Sequence, residues 1–173
     1  MNAMARTAQA WGVAACRVKR VAVIGAGSMG GGIAAHFANA GVPVDLLDIA
    51  STTGSDRSAA AESGIERQLK TNGFVHEAAA ALIRAGNIDD DLGRLAEADW
   101  IVEAIIEDPQ LKRALYARVD KVRKPGSIVS SNTSTILRAE LLRGVERQLD
   151  PGALAELCDR VAQRDRDRDP GAG

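Results

Sequence analysis

Three glycines stand at Gly-x-Gly-x-x-Gly spacing in Gly25-Ala26-Gly27-Ser28-Met29-Gly30, directly behind the apolar run Val21-Ala22-Val23-Ile24. At such a strand–helix junction the first glycine permits a tight turn. The second leaves room for a ligand against the backbone, and the third lets the helix pack on the strand. The N–H groups at the start of a helix, together with its dipole, stabilise phosphate charge. An acid, Asp48, closes the next strand-like run, Val42-Pro43-Val44-Asp45-Leu46-Leu47. A carboxylate about 20 residues beyond the glycines is placed to accept hydrogen bonds from a ribose.

Glycine spacing alone is a weak signal. With strand, helix and acid in this order it points to the pyrophosphate and adenosine ribose of a dinucleotide, held by Gly25, Gly27, Ser28, Met29, Gly30 and Asp48. Asp48 favours NAD over NADP. A carboxylate repels a 2′-phosphate, and the residues that follow are Ile49, Ala50 and Ser51, with no arginine among them. The plain alternatives are a glycine-rich turn without a ligand and a surface acid at a strand end.

In open α/β sheets, ligands sit beyond the carboxyl ends of the strands. Glu107 follows the apolar run at 100–106, and Ser134 follows the last strand-like run by a few residues. Both are expected to face the same crevice as the glycine turn. Each keeps a structural alternative: Glu107 as a first-turn acid favoured by the helix dipole, Ser134 as a helix-capping serine.

These residues need a frame to hold them. Strand-like and helix-like segments alternate, which predicts an α/β fold: a Rossmann-like, doubly wound, mostly parallel sheet with helices on both faces. Strands are expected at 18–24, 42–48, 86–88, 100–106 and 127–131, and helices at 27–40, 57–70, 77–84 and 91–98. Asp108-Pro109 opens a further helix, aspartate as cap and proline at the first helical position. Met29, Ile33 and Phe37 predict the buried face of the first helix; Leu111, Leu115, Val119 and Val122 predict that of the helix after Pro109. The domain reading is a loose leader at 1–16, a dinucleotide-binding domain at 17–136, a helical end at 137–162 and a disordered charged tail at 163–173.

Composition narrows the partners. The 173 residues suffice for one domain with a real core, and the net charge of -1 comes from interspersed charges of both signs. Nucleic acid and anionic membrane are therefore not expected as partners. An aromatic content of 3% removes the stacking platforms of single-strand binders. No apolar run reaches the length of a membrane span. The two cysteines, Cys16 and Cys158, lack metal or redox spacing. They read as free thiols of a reducing cytoplasm, and no metal is expected.

Four stretches, in this order and spacing, strongly resemble the NAD-binding domain of L-3-hydroxyacyl-CoA dehydrogenases. They are the glycine turn with Gly32-Ile33-Ala34-Ala35-His36, then Gly86-Asn87-Ile88-Asp89-Asp90-Asp91-Leu92, then Ala98-Asp99-Trp100-Ile101-Val102-Glu103-Ala104, and Ser131-Asn132-Thr133-Ser134. The resemblance covers about residues 18–136. It implies hydride transfer from C3 of a 3-hydroxyacyl-CoA to NAD, as in fatty-acid β-oxidation. It implies that Glu107 and Lys112 lie near the nicotinamide ribose, and that Ser134 hydrogen-bonds the reacting substrate oxygen, where such a donor assists.

The departures are as clear. The family's general base is a histidine about twenty residues beyond the Asn-Thr-Ser segment, followed by Phe-Phe-Asn-Pro, and histidine suits proton removal at neutral pH. Neither is found here: the two histidines, His36 and His76, are both upstream and read as a helix-face residue and a helix-opening residue. The family also has a helical C-terminal domain that completes the acyl-CoA site and forms the homodimer. The residues from 137 onward do not match it. Three readings stay open: a dehydrogenase whose given sequence stops short of its base, a non-catalytic NAD-binding module, and a fragment that holds neither ligand well.

Overall fold

A computed structural model describes residues 18–132. The expected leader at 1–16, helical end at 137–162 and charged tail at 163–173 lie outside the described residues, as does Ser134.

The chain runs β1 (Val21–Ile24), α1 (Ser28–Asn39), β2 (Val44–Asp48), α2 (Ala59–Lys70), a 3-10 segment (Glu77–Leu82), β3 (Ile83–Asn87), a second 3-10 segment (Leu92–Glu97), β4 (Trp100–Glu103), α3 (Pro109–Val122) and β5 (Ile128–Ser131). The five strands form one sheet in the order β3-β2-β1-β4-β5, and every pair is parallel. Val21 stands level with Val44 on one side and Trp100 on the other. The order reverses between β1 and β4, which in open parallel sheets opens a crevice at their carboxyl ends.

Strand residues alternate between two cores, because successive side chains of a strand point to opposite faces. Val21, Val23, Val44 and Leu46 pack with Ala34, Ala35 and Ala38 of α1 and Ala61 of α2. Ala22, Ile24, Leu47 and Ile101 pack on the other face with Leu92, Leu95, and Leu115 and Val119 of α3. Both faces are thus covered, as expected for a doubly wound sheet. Burial of the strands on both sides accounts for their near-continuous apolar sequence.

The amino-terminal ends of the strands are tied by charge. Asp45 is fully buried within β2 and pairs with Arg20 at 3.3 Å and Arg84 at 2.6 Å. The Asp99 carboxylate accepts the Lys19 amide at 2.7 Å and the Arg20 amide at 3.1 Å, and it pairs with Lys124. Asp99 thereby ties the segment entering β1 to the start of β4 and the end of α3.

Several expected details differ. The helix expected at 77–84 is a 3-10 turn that ends at Leu82, and Ile83 and Arg84 already belong to β3. Ile83 pairs with Val44 there, so sheet pairing prevails over the alanine-rich helical propensity. The buried face of α1 is Gly30, Gly31, Ala34, Ala35 and Ala38, while Met29 is 59% exposed. Small residues let α1 lie close on the sheet; Ile33 and Phe37 flank that contact, and Phe37 meets Trp100 edge to face at 5.5 Å. On α3, Leu111 is 50% exposed and Lys112 takes the buried position beside Leu115 and Val119.

Candidate dinucleotide site

The glycine turn lies at the reversal point of the sheet. Gly25 follows β1 directly with φ +105°, a left-handed conformation that L side chains disfavour. Its amide donates to the Leu47 carbonyl at 2.7 Å. A Cβ at Gly25 would stand 2.5 Å from the Ala104 carbonyl oxygen, just past β4. At Gly30 a Cβ would stand 1.7 Å from the Gly25 carbonyl oxygen, so no side chain fits between helix and turn. Gly27 differs: a Cβ there would meet nothing within 4 Å. The first and third glycines serve close packing, and the second borders open space.

Gly27, Ser28 and Met29 are exposed at the start of α1. The first N–H groups of a helix lack intrahelical acceptors. Among the described residues, no side chain caps this end and no acid sits in the first turn. The positive end of the dipole is therefore available to an anion. This surface fits a diphosphate: open backbone, unshielded donors and no competing carboxylate in the turn of helix itself.

Asp48 ends β2 beside the turn. Its Oδ2 accepts the Ala26 amide at 2.5 Å and its Oδ1 accepts the Ile49 amide at 2.6 Å. A carboxylate has about four acceptor sites on its two oxygens. Those two bonds orient it and leave capacity for ribose hydroxyls. A second support comes from α2. Gly64 lies so near the turn that a Cβ would stand 2.7 Å from the Ala26 carbonyl oxygen. Arg67 donates to that same oxygen at 3.3 Å.

Glu107 is exposed in the segment between β4 and α3. Asp108 behaves as expected from sequence: its side chain accepts the Gln110 and Leu111 amides at 2.8 and 3.1 Å, with Pro109 at the first helical position. Lys112 points inward and is 1% exposed. Its Nζ lies 2.5 Å from Oε1 of Glu103, itself 1% exposed, and 3.4 Å from the Ile105 carbonyl. Burial pushes the Glu103 carboxyl upward, but hydrogen bonds from Lys112, Ser131, Tyr116 and the Ile105 amide outweigh it, so its pKa falls below the ordinary value. Burial is also the main reason the Tyr116 hydroxyl titrates well above its usual range.

The structure thus brings Gly25, Gly27, Ser28, Met29, Gly30 and Asp48 together around the β1–α1 turn. Glu107 and Lys112 sit beyond β4. His36, in the last turn of α1, is exposed, and His76 uses Nδ1 to accept the Ala78 amide at 3.1 Å. Neither histidine joins the cluster around the turn. Glu103, Gly64 and Arg67 are contributors that sequence reasoning missed. A buried ion pair interrupts an otherwise apolar strand and helix stripe, and only Glu103 within its apolar run hinted at it.

Sheet order, glycine turn and strand-end acid define a dinucleotide-binding α/β domain. The family described as 3-hydroxyacyl-CoA dehydrogenase, NAD binding domain, matches residues 20–151, and the chain belongs to that family. The chain is 48% identical over 122 residues to a probable 3-hydroxyacyl-CoA dehydrogenase of Deinococcus radiodurans, covering 69% of this chain and 35% of that protein. A probable 3-hydroxyacyl-CoA dehydrogenase of Bacillus subtilis is 39% identical over 143 residues, covering 73% of this chain and 18% of that protein. The solved structure of 3-hydroxybutyryl-CoA dehydrogenase from Escherichia coli K12 is 30% identical with a TM-score of 0.58, over 74% of this chain and 27% of that one. The chain therefore spans about a third or less of the length of these relatives. No helix among the described residues is long and apolar enough to cross a membrane.

Proposed function

We propose that this chain binds NAD at the β1–α1 turn and serves as the coenzyme-binding part of a 3-hydroxyacyl-CoA dehydrogenase, oxidising 3-hydroxyacyl-CoA to 3-ketoacyl-CoA. The observation that carries this reading is the open space at Gly27 over an uncapped helix start, with Asp48 alongside. The first-turn amides of α1 hold the pyrophosphate charge. Asp48 accepts from the ribose and disfavours a 2′-phosphate. Glu107 serves the nicotinamide-ribose half. Lys112, expected there too, is buried against Glu103 and supports that half from beneath instead of contacting the coenzyme. Ser134 donates to the substrate oxygen as charge gathers on it. The nicotinamide ring of bound NAD supplies the hydride acceptor. The reading places the reaction in cytoplasmic fatty-acid β-oxidation, with a homodimer as the assembly.

A second reading, NAD binding without turnover, is favoured by the histidines. Hydroxyl oxidation needs a base for the departing proton. His36 is exposed in the last turn of α1, and His76 engages Nδ1 with the Ala78 amide, so neither is placed as that base.

One experiment separates the two. The 173-residue polypeptide is titrated with NAD by calorimetry, then incubated with NAD and a 3-hydroxyacyl-CoA while NADH absorbance is followed. Saturable NAD binding is expected, with turnover far below that of ordinary dehydrogenases. Full turnover would refute the second reading, and absence of NAD binding would refute both.

A further inference from the structure

Glu103 is the last residue of β4, and its carboxylate is saturated. Oε1 accepts Lys112 Nζ at 2.5 Å and the Ile105 amide at 2.8 Å. Oε2 accepts the Tyr116 hydroxyl at 2.8 Å and the Ser131 hydroxyl at 2.6 Å. Its backbone carbonyl accepts the Asn132 amide at 2.8 Å. About four acceptor sites exist on a carboxylate, so these donors fill them, and the group is 1% exposed. Glu103 is therefore not built to bind a ligand.

What it joins is informative. Lys112 and Tyr116 come from α3, the Ile105 amide from the segment that carries Glu107, and Ser131 and Asn132 from the end of β5. Lys112 also reaches the Ile105 carbonyl at 3.4 Å, which braces the same segment twice. The segment that carries Glu107, the start of α3 and the end of β5 are thus tied to this one carboxylate. The glycine turn and Asp48 take their hydrogen bonds and close contacts from Leu47, Ile49, Gly64 and Arg67, and the turn also packs on the Ala104 backbone, but none of these bonds involves the Glu103 carboxylate.

We propose that Glu103 is a positioning residue: its buried carboxylate holds α3, the segment before it and the end of β5 in one arrangement, and so shapes the nicotinamide-ribose half of the site without touching the coenzyme. The inference rests on the NAD-binding reading above. It distinguishes two halves of the site that meet at Ala104, an adenosine–diphosphate half on β1, α1 and β2 and a nicotinamide half held by the Glu103 carboxylate.

The test measures two affinities by calorimetry on the full 173-residue chain, for NAD and for ADP, which lacks the nicotinamide and its ribose. Glu103→Gln keeps the side-chain volume and removes the charge. It is expected to weaken NAD binding at least tenfold while changing ADP binding less than twofold. Tyr116→Phe removes a single donor to Oε2, and it decides the matter if Glu103→Gln does not fold. It is expected to weaken NAD about threefold at unchanged ADP affinity, at the low end of what one lost hydrogen bond is worth. A parallel fall in both affinities, or no change in either, would overturn the positioning role. A wild-type chain that binds neither ligand would instead remove the NAD-binding reading, and this inference with it.

Discussion

The Ala26 amide donates to the Asp48 carboxylate at 2.5 Å, a bond between the glycine turn after β1 and the carboxyl end of β2. It fixes one oxygen of the acid toward the turn, while the Ile49 amide fixes the other. The carboxylate proposed to read the ribose is thus oriented by the loop proposed to hold the phosphates. Changing Asp48 should therefore alter coenzyme choice and also loosen the turn.

The double change Asp48→Gly with Ser51→Arg should move preference toward NADP. Removing the carboxylate ends repulsion of the 2′-phosphate, and the arginine offers it a partner. The NADP/NAD affinity ratio, measured by calorimetry, should rise by about a factor of ten or more. An unchanged ratio would show that Asp48 does not read the ribose.

The glycines should separate by function. Gly27→Ala adds a methyl group where nothing lies within 4 Å. The melting temperature should stay near wild type while NAD affinity falls about tenfold, because the methyl occupies the approach to the diphosphate. Gly30→Ala places its Cβ 1.7 Å from a backbone oxygen. It should cost stability by about 1–3 kcal/mol or more, as overpacking does, read by urea denaturation.

Breaking the buried ion pair should be costly and partly reversible. Lys112→Met leaves the Glu103 carboxylate without its cation and should destabilise the fold by about 3–5 kcal/mol. Adding Glu103→Gln removes the stranded charge and should recover part of that loss. Additive effects of the two substitutions in urea, with Glu103→Gln costing as much in the Lys112→Met background as in the wild type, would show that the pair is not coupled.

Asp99 gives a pH signature. The Lys124 ammonium, then the Lys19 and Arg20 amides, hold its pKa down from 3.8 to about 2. A carboxyl with a folded pKa below its unfolded one adds stability above the unfolded value and loses it as pH falls through the folded value. Asp99→Asn should therefore lower the melting temperature at neutral pH, and the gap to wild type should close between about pH 4 and pH 2. A gap independent of pH would show that the charge is not what ties these segments.

The fold was legible in short local patterns. Val21-Ala22-Val23-Ile24 followed by the glycine spacing, and Asp48 at the next strand end, predict β1, α1 and β2 because turn chemistry and strand burial act over a few residues. Asp108-Pro109 was legible for the same reason. Longer-range packing was not. Met29 completes a four-residue spacing with Ile33 and Phe37, yet glycines and alanines make the closest contact with the sheet. Lys112 stands one place after Leu111, and a count of apolar positions buries the leucine; the structure buries the lysine because Glu103 waits beneath it. Ile83 and Arg84 follow an alanine run that favours helix, but pairing with β2 draws them into the sheet. The placement of Asp48 beside the glycine turn was readable from spacing, whereas the support from Gly64 and Arg67 depends on how α2 crosses the turn.

The most direct test of the central claim follows the backbone amides themselves. In a titration of isotope-labelled protein with NAD, observed by NMR, the amide signals of Gly27, Ser28 and Met29 should shift saturably and together, with those around Asp48 following. A titration in which these signals stay in place, or in which saturable shifts gather elsewhere on the molecule, would contradict the account.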